Sequence, residues 1–306
     1  MSTPTKERIK QLLLQAGFSL VGFLHFKDCE LGDWISKWIK NGYHADMDWM
    51  EQYGNIRSNP SAIENYTKSI VSVAINYKTN PPISWETNNP ISNYAWGEDY
   101  HVVLRKKLNH VLDSLKNDFP QFKGRVCIDT APLPEKIIAQ KSGVGWIGKN
   151  SMLINRRLGS YLFLAEVVSN LDIASDAPAK DYCGTCTKCI DSCPTNAIVE
   201  DGVIDSNRCI SYLTIEKRGE FSKEEKSWLD YQLFGCDICQ QVCPWNKKGP
   251  LSNSTEFQFD EKWLTVNPKE WSGLTQEMFD RLKIKSPVKR AKYRGFIRNL
   301  QAISNK

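Results

Sequence analysis

Apolar positions along residues 5–16 recur at helical spacing. Ile9, Leu12, Leu13 and Ala16 fall on one face, and Gly17 stops the run. A short apolar stretch, Leu20 to Leu24, then reads as a strand, and Ser69 to Tyr77 (SIVSVAINY) as a second, β-branched one. From His101 to Leu115 the period returns to that of a helix, through Leu104, Leu108, Val111, Leu112 and Leu115. Arg125–Asp129 (RVCID) and Ser160–Val168 (SYLFLAEVV) are further buried strands. Helices alternating with short apolar strands predict a layered α/β (α+β) domain over residues 1–175.

The pattern changes at Asp172-Ile-Ala-Ser-Asp-Ala-Pro-Ala-Lys180, which reads as a linker. A cysteine-rich unit is expected over 176–250, and a polar stretch leading into a basic helical segment over 251–306. With 306 residues, 41% hydrophobic and 25% charged, the chain is long enough for a substantial core. No run approaches the length of a membrane span, and no secretion signal opens the sequence, so a cytoplasmic protein without a membrane partner is expected. Reducing compartments disfavour disulfides, so the 10 cysteines call for metal or redox chemistry.

Their spacing narrows that chemistry. Cys183-x2-Cys186-x2-Cys189-x3-Cys193-Pro194 has the spacing of bacterial ferredoxins, where three thiolates hold one [4Fe–4S] cubane and the fourth turns to a second cluster. The half-motif recurs as Cys209 followed by Cys236-x2-Cys239-x3-Cys243-Pro244, with Cys209 displaced by an insertion of about 24 residues. One cluster is therefore assigned to Cys183, Cys186, Cys189 and Cys243, the other to Cys193, Cys209, Cys236 and Cys239. Structural zinc would use CxxC pairs, often with histidine, and none of the four histidines is near in sequence. Cys127 reads as a core residue and Cys29 as incidental.

A ferredoxin alone would not need the large domain that precedes the clusters. Six segments carry a more specific resemblance: Tyr94-Ala-Trp-Gly-Glu-Asp-Tyr-His101, Asp129-Thr-Ala-Pro132, Gly143-Val-Gly-Trp-Ile-Gly-Lys-Asn150, Gly159-Ser-Tyr-Leu-Phe-Leu-Ala-Glu166, Cys209-Ile-Ser-Tyr-Leu-Thr-Ile-Glu216, and Gly235-Cys-Asp-x-Cys-Gln-x2-Cys-Pro-Trp-Asn246. Together they resemble the epoxyqueuosine reductases over nearly the whole chain. The resemblance implies a cobalamin-dependent oxidoreductase that reduces epoxyqueuosine to queuosine at the wobble position of tRNA. It implies an α/β cobalamin-binding domain, a two-cluster domain relaying electrons, an external low-potential electron donor, and the tRNA anticodon stem-loop as partner. A monomer is expected.

The same resemblance makes Asp129 the acid that protonates the departing oxygen, and an acid in such a pocket is expected to have a raised pKa. On its own sequence Asp129 could equally cap a turn before Pro132 and Pro134. By resemblance Arg57 contacts cobalamin, and Tyr100, His101, Lys149, Ser151, Ser211 and Asp237 line the corrin; each is also a credible structural polar residue. Asp99-x-His101 matches part of the Asp-x-His-x-x-Gly cobalt-ligand motif of other cobalamin enzymes, but position 104 is Leu, and the resembled family binds cobalamin without that ligand. His101 is therefore read as a pocket or core residue. Gly143-x-Gly-x2-Gly148 lacks the context of a dinucleotide site and is read as a loop near the corrin.

Residues 281–306 hold nine Lys or Arg and no Asp or Glu. Such density suits phosphate backbones, and Lys289, Arg290, Lys292 and Arg294 are the expected tRNA contacts, with Tyr293 and Phe296 as stacking surfaces. A solvated helix packing Ile297 and Leu300 on the body is compatible with that role. Many members of the resembled family continue into helical repeats, so a smaller RNA grip is expected here. Two rival readings remain: a corrinoid reductive dehalogenase, disfavoured by the basic tail, and a non-catalytic electron carrier, disfavoured by the first domain.

Overall fold

The computed structural model describes residues 5–30, 32–53, 59, 63–80, 90–265 and 273–304. Four strands, β1 (Leu20–His25), β2 (Ser69–Asn76), β3 (Gly124–Cys127) and β4 (Leu162–Ser169), form one sheet in the order β1-β2-β4-β3. Every neighbouring pair is antiparallel. The alternation of helices and strands did not specify this pairing.

Strand β2 lies inside the sheet and is buried along its whole length, which accounts for a sequence with little polar alternation. On one face Val71, Val73, Ile75, Val126, Phe163 and Val167 pack against α1 (Lys6–Gln15) and α2 (Tyr100–Asp118). Ile9 and Leu13 of α1 and Leu104, Leu108 and Leu115 of α2 supply the apolar stripes that meet the sheet. The opposite face carries Leu24, Ile70, Cys127 and Val168 under Ile138 of α3 (Glu135–Lys141). Gly22 allows α3 to come this close, since a Cβ there would sit 2.2 Å from the Ser142 carbonyl oxygen.

The segment read as a linker has no regular structure but is not loose. Asp176 exchanges backbone hydrogen bonds with β1: its N–H donates to the Phe23 carbonyl (2.8 Å), and its carboxylate accepts the Phe23 N–H (3.0 Å). The His25 N–H donates to Ser175 Oγ (2.8 Å). The segment thus covers the free edge of β1, where unpaired backbone groups would otherwise invite association.

In the cysteine-rich unit, the insertion between Cys209 and Cys236 contains α4 (Ile210–Ile215) and a short helix, Lys223–Trp228, closed by a Ser222/Glu225 capping box. It is a platform for the C-terminal segment, which includes α5 (Gln276–Leu282) and α6 (Lys292–Ser304). Phe296 and Leu300 of α6 share a core with Phe279, Trp263, Trp96, Leu233 and Phe234. Arg298, 7% exposed, donates to the carbonyls of Leu213, Lys217 and Gly219 and stacks 4.0 Å over the Phe221 ring. The expected stacking role of Phe296 is overturned: it is 0% exposed, so its ring is unavailable to a base. Among the described residues no helix is long and apolar enough to cross a membrane.

Candidate functional site

Strand β3 ends at Cys127, and two residues later Asp129 turns into left-handed backbone conformation (φ 46°). A non-glycine residue pays a steric penalty there, so something must hold it. Its N–H donates to Glu135 Oε1 (2.6 Å) at the start of α3. Glu135 in turn lies beside Glu166 of β4, whose side chain is fully buried and accepts from Ser72 Oγ (3.3 Å). Burial raises the pKa of both carboxyls; the charge of Asp129 adds to the rise at Glu135, and the charge and hydrogen bond of Glu135 add to the rise at Glu166, so Glu166 holds the proton between them.

The Asp129 carboxylate meets His101 Nε2 at 3.0 Å, and His101 Nδ1 meets Asp99 Oδ1 at 2.7 Å. Asp99 is the N-cap of α2, accepting the His101 N–H (3.1 Å), and its second oxygen lies 2.5 Å from Lys289 Nζ. A continuous polar chain, Lys289–Asp99–His101–Asp129, therefore runs from the C-terminal segment to the end of β3. Burial opposes charge on His101, but its bonds to Asp129 and Asp99 prevail and raise its pKa to about 9. Burial likewise works to raise Asp99, yet His101 and Lys289 hold it down to about 2.

Asp129 follows the same logic, which corrects the expectation of a raised pKa. Partial desolvation of this half-exposed side chain pushes it up, but the hydrogen bond and charge of His101 outweigh that and hold it below the usual carboxylate value. At neutral pH the pair is Asp129 carboxylate with His101 imidazolium, so the available proton resides on His101. Tyr100 also hydrogen-bonds Asp129, and its ring stacks on His101 (4.1 Å between centroids) and on Phe163 (4.5 Å). Arg290 reaches the same region, held by Glu216 through two bonds of 2.8 and 2.7 Å.

The other expected corrin contacts are distributed more widely. Ser151, at φ 61°, accepts Lys136 Nζ on its carbonyl (2.7 Å), and Lys136 lies within electrostatic reach of Glu135 and Cys239, so this loop borders the Asp129 region. Asp237 has both oxygens occupied, by Ser92 Oγ (2.8 Å) and the Asn93 N–H (2.7 Å), and pins the 90–97 loop to the cysteine-rich unit. Ser211 sits in the first turn of α4 and directs its N–H at the Cys209 sulfur. Lys149 pairs with Asp201 (3.2 Å) against a different cavity. Arg57 lies outside the described residues. The glycine run 143–148 packs a hairpin, Trp146–Ile147 with Leu153–Ile154: a Cβ at Gly145 would meet the Ile154 carbonyl oxygen at 2.5 Å.

That different cavity, of about 230 Å³, is ringed by Cys183, Cys186, Cys189 and Cys243. Cys193, Cys209, Cys236 and Cys239 lie within electrostatic reach of one another as a second group, and Cys239 also reaches Cys189. Among the described residues no three His, Cys, Asp or Glu converge to share a single ion. Thiols spread around a cavity suit a cluster, whose own iron and sulfide fill the space between them. N–H groups aimed at sulfur complete the fit: Trp146 Nε1 to Cys183 (3.4 Å) and the Ala197 N–H to Cys193 (3.3 Å). Cys127 is fully buried in the sheet, and Cys29 packs beside the same core. No local signal marks Glu135, Glu166 or Lys136, whereas the Asp99-x-His101 pair, which matches part of a cobalt-ligand motif, is an N-cap with a charge pair.

Two family models match the chain. One, described as "Epoxyqueuosine reductase QueG, DUF1730", covers residues 57–130, and the other, "4Fe-4S double cluster binding domain", covers residues 182–246. An epoxyqueuosine reductase of Leadbetterella byssophila is 41% identical over 87% of this chain and 87% of its own length. That of Cyclobacterium marinum is 38% identical over 100% of this chain and 99% of its own. Among solved structures, an epoxyqueuosine reductase with an epoxyqueuosine-modified tRNA-Tyr stem loop superposes with a TM-score of 0.85 at 28% identity, covering 97% of this chain and 80% of that one. The Bacillus subtilis enzyme, in a form with its aspartate-bearing catalytic loop swung out of the active site, superposes at 0.86 with 29% identity and the same coverage. On this sequence identity and coverage, the chain belongs to the epoxyqueuosine reductase family.

Proposed function

We propose that this protein reduces epoxyqueuosine to queuosine at the wobble position of tRNA, with cobalamin as the reducing cofactor and two [4Fe–4S] clusters held by the eight named cysteines. The observation that carries the reading is Asp129 bonded to a protonated His101, in reach of Tyr100, at the end of β3. Removing the epoxide oxygen as water takes two electrons and two protons. The imidazolium of His101 supplies one proton, held by Asp129 at the mouth of the site, and solvent supplies the other, since the Asp129 side chain is 55% exposed. Asp99 keeps His101 charged and oriented, and Lys289 anchors Asp99.

Cobalamin, when bound, supplies low-potential electrons to the epoxide-bearing ring. The residues present fit it. Both ring nitrogens of His101 are engaged, leaving no lone pair for cobalt, in keeping with a family that binds cobalamin without a protein ligand. Tyr100, Ser151 and Lys136 would border the corrin, with Asp237 and Ser211 fixing the wall that carries Cys236 and Cys209. Cys239, within reach of Lys136, brings the second cysteine group to the same wall. The cytoplasm, where tRNA is modified, is the expected site of action.

For RNA the tail divides. Lys289 and Arg290 are committed to Asp99 and Glu216, whereas Lys292 and Arg294 are exposed and make no ion pair among the described residues. We assign phosphate contact to the latter two. The test is single turnover of an epoxyqueuosine-bearing stem-loop by anaerobic, cobalamin-loaded protein. Asp129→Asn should retain clusters and cobalamin yet react ~10²–10⁴-fold more slowly. A rate near wild type would remove Asp129 from the mechanism.

A further inference from the structure

The cavity around Cys183, Cys186, Cys189 and Cys243 has a lining that the proposed reaction does not use. It includes three lysines, Lys149, Lys188 and Lys248, and no carboxylate among the described residues. Lys149 is mostly covered and already paired with Asp201, so its charge is balanced locally. Lys188 and Lys248 are exposed and form no ion pair among the described residues. Lys248 stands 6.0 Å over the Trp245 ring, and Arg156 stands 5.3 Å over the ring of Tyr182, which is itself 43% exposed. Two of the cations at this rim thus lie over aromatic rings. Asp181 and Asp191 are exposed nearby, with carboxylates engaged locally in accepting the Cys183 N–H and the Thr187 hydroxyl.

The position in the fold says what such a rim would serve. The second cysteine group borders the Asp129 region through Cys239, within electrostatic reach of Lys136, and Cys239 is likewise within electrostatic reach of Cys189 in the first. With the second group bordering the site, electrons enter at the first group, whose cavity is lined by the exposed side chains of Tyr182, Lys188 and Lys248. We propose that this face docks an acidic one-electron carrier protein, with Lys188, Lys248 and Arg156 as its steering charges. One electron passes from the reduced carrier to the cluster in this cavity, oxidising the carrier; no proton or bond is exchanged. An RNA backbone would also be drawn to cations, but Lys292 and Arg294 of α6 already provide that on the segment adjoining Asp129.

The inference rests on the cluster assignment, so the experiment begins with full-length protein whose iron content shows both clusters loaded. The probe is a reduced, acidic plant-type [2Fe–2S] ferredoxin, mixed with wild type and with the Lys188→Gln/Lys248→Gln/Arg156→Gln variant. The variant should accept electrons about tenfold more slowly at low salt, and the two rates should converge above roughly 0.5 M salt, where screening removes the steering term. Cross-linking of the carrier to the cavity rim should fall in parallel. Cluster midpoint potentials and affinity for the tRNA stem-loop should be the same in both proteins. Equal rates at low salt would overturn the proposal. So would a slower rate explained by a shifted potential, since the cations would then be tuning the cluster. Lost stem-loop affinity with normal carrier rates would assign the face to RNA instead. Failure to load iron would count against the cluster assignment, not against the docking face.

Discussion

Replacing His101 by Gln tests the electrostatic core of the site. The imidazole pKa is raised from 6.5 to about 9, against burial, by bonds to Asp129 and Asp99. At 1.36 kcal/mol per unit, that shift corresponds to roughly 3 kcal/mol of preference for the charged form in the folded state. The side chain is 28% exposed, so solvent screening removes only part of this. Because the folded pKa lies above the unfolded one, the stabilisation is fully present below about pH 6.5 and is lost as pH rises through about 9. His101→Gln should therefore lower the urea midpoint most at pH 6, with the gap to wild type narrowing by pH 10. Catalysis should move too. Wild-type kcat/KM should hold through neutrality and fall near pH 9, where His101 loses its proton. In the variant the main influence lowering Asp129 is gone, leaving only Tyr100 and Arg290 to oppose desolvation, so the falling limb should shift to lower pH. Iron content should be unchanged, since no cysteine is touched. Coincident pH limbs with a stability gap independent of pH would refute the imidazolium–carboxylate reading.

Cys127→Ser and Cys29→Ser should leave about eight irons per chain, whereas Cys239→Ser should lower iron content and alter the optical spectrum; equal iron in all three proteins would break the ligand assignment. Neutralising Lys292 and Arg294 to Gln should weaken stem-loop binding and flatten the log–log salt slope by ~0.7–0.9 for each phosphate no longer neutralised, and superimposable salt plots would move the RNA site elsewhere. Arg298→Met should destabilise the fold by about 3 kcal/mol or more, because three carbonyls lose a charged donor in a buried setting. An unchanged urea midpoint would contradict that account.

What could be read from the sequence was local. The helix periodicities, the β-branched strands and the Cys-x2-Cys-x2-Cys-x3-Cys-Pro spacing each depend on neighbours a few residues apart, and Ser69–Asn76 and Tyr100–Asp118 form almost as the pattern predicts. The family motifs pointed to Asp129 because they lie in continuous segments. The protonation of the site was not legible, since it arises from Lys289, Asp99, His101 and Asp129, which come from segments far apart in the chain. Periodicity also could not say that Phe296 faces inward and Tyr293 half outward, because both faces of that helix are mixed and only the platform built by the Cys209–Cys236 insertion selects one. Nor could composition separate Lys289 and Arg290, tied to carboxylates, from Lys292 and Arg294. A run of like charges in sequence is divided by what each side chain meets in space, and Coulomb attraction at 2.5 and 2.7 Å between distant segments is a property of the tertiary structure alone.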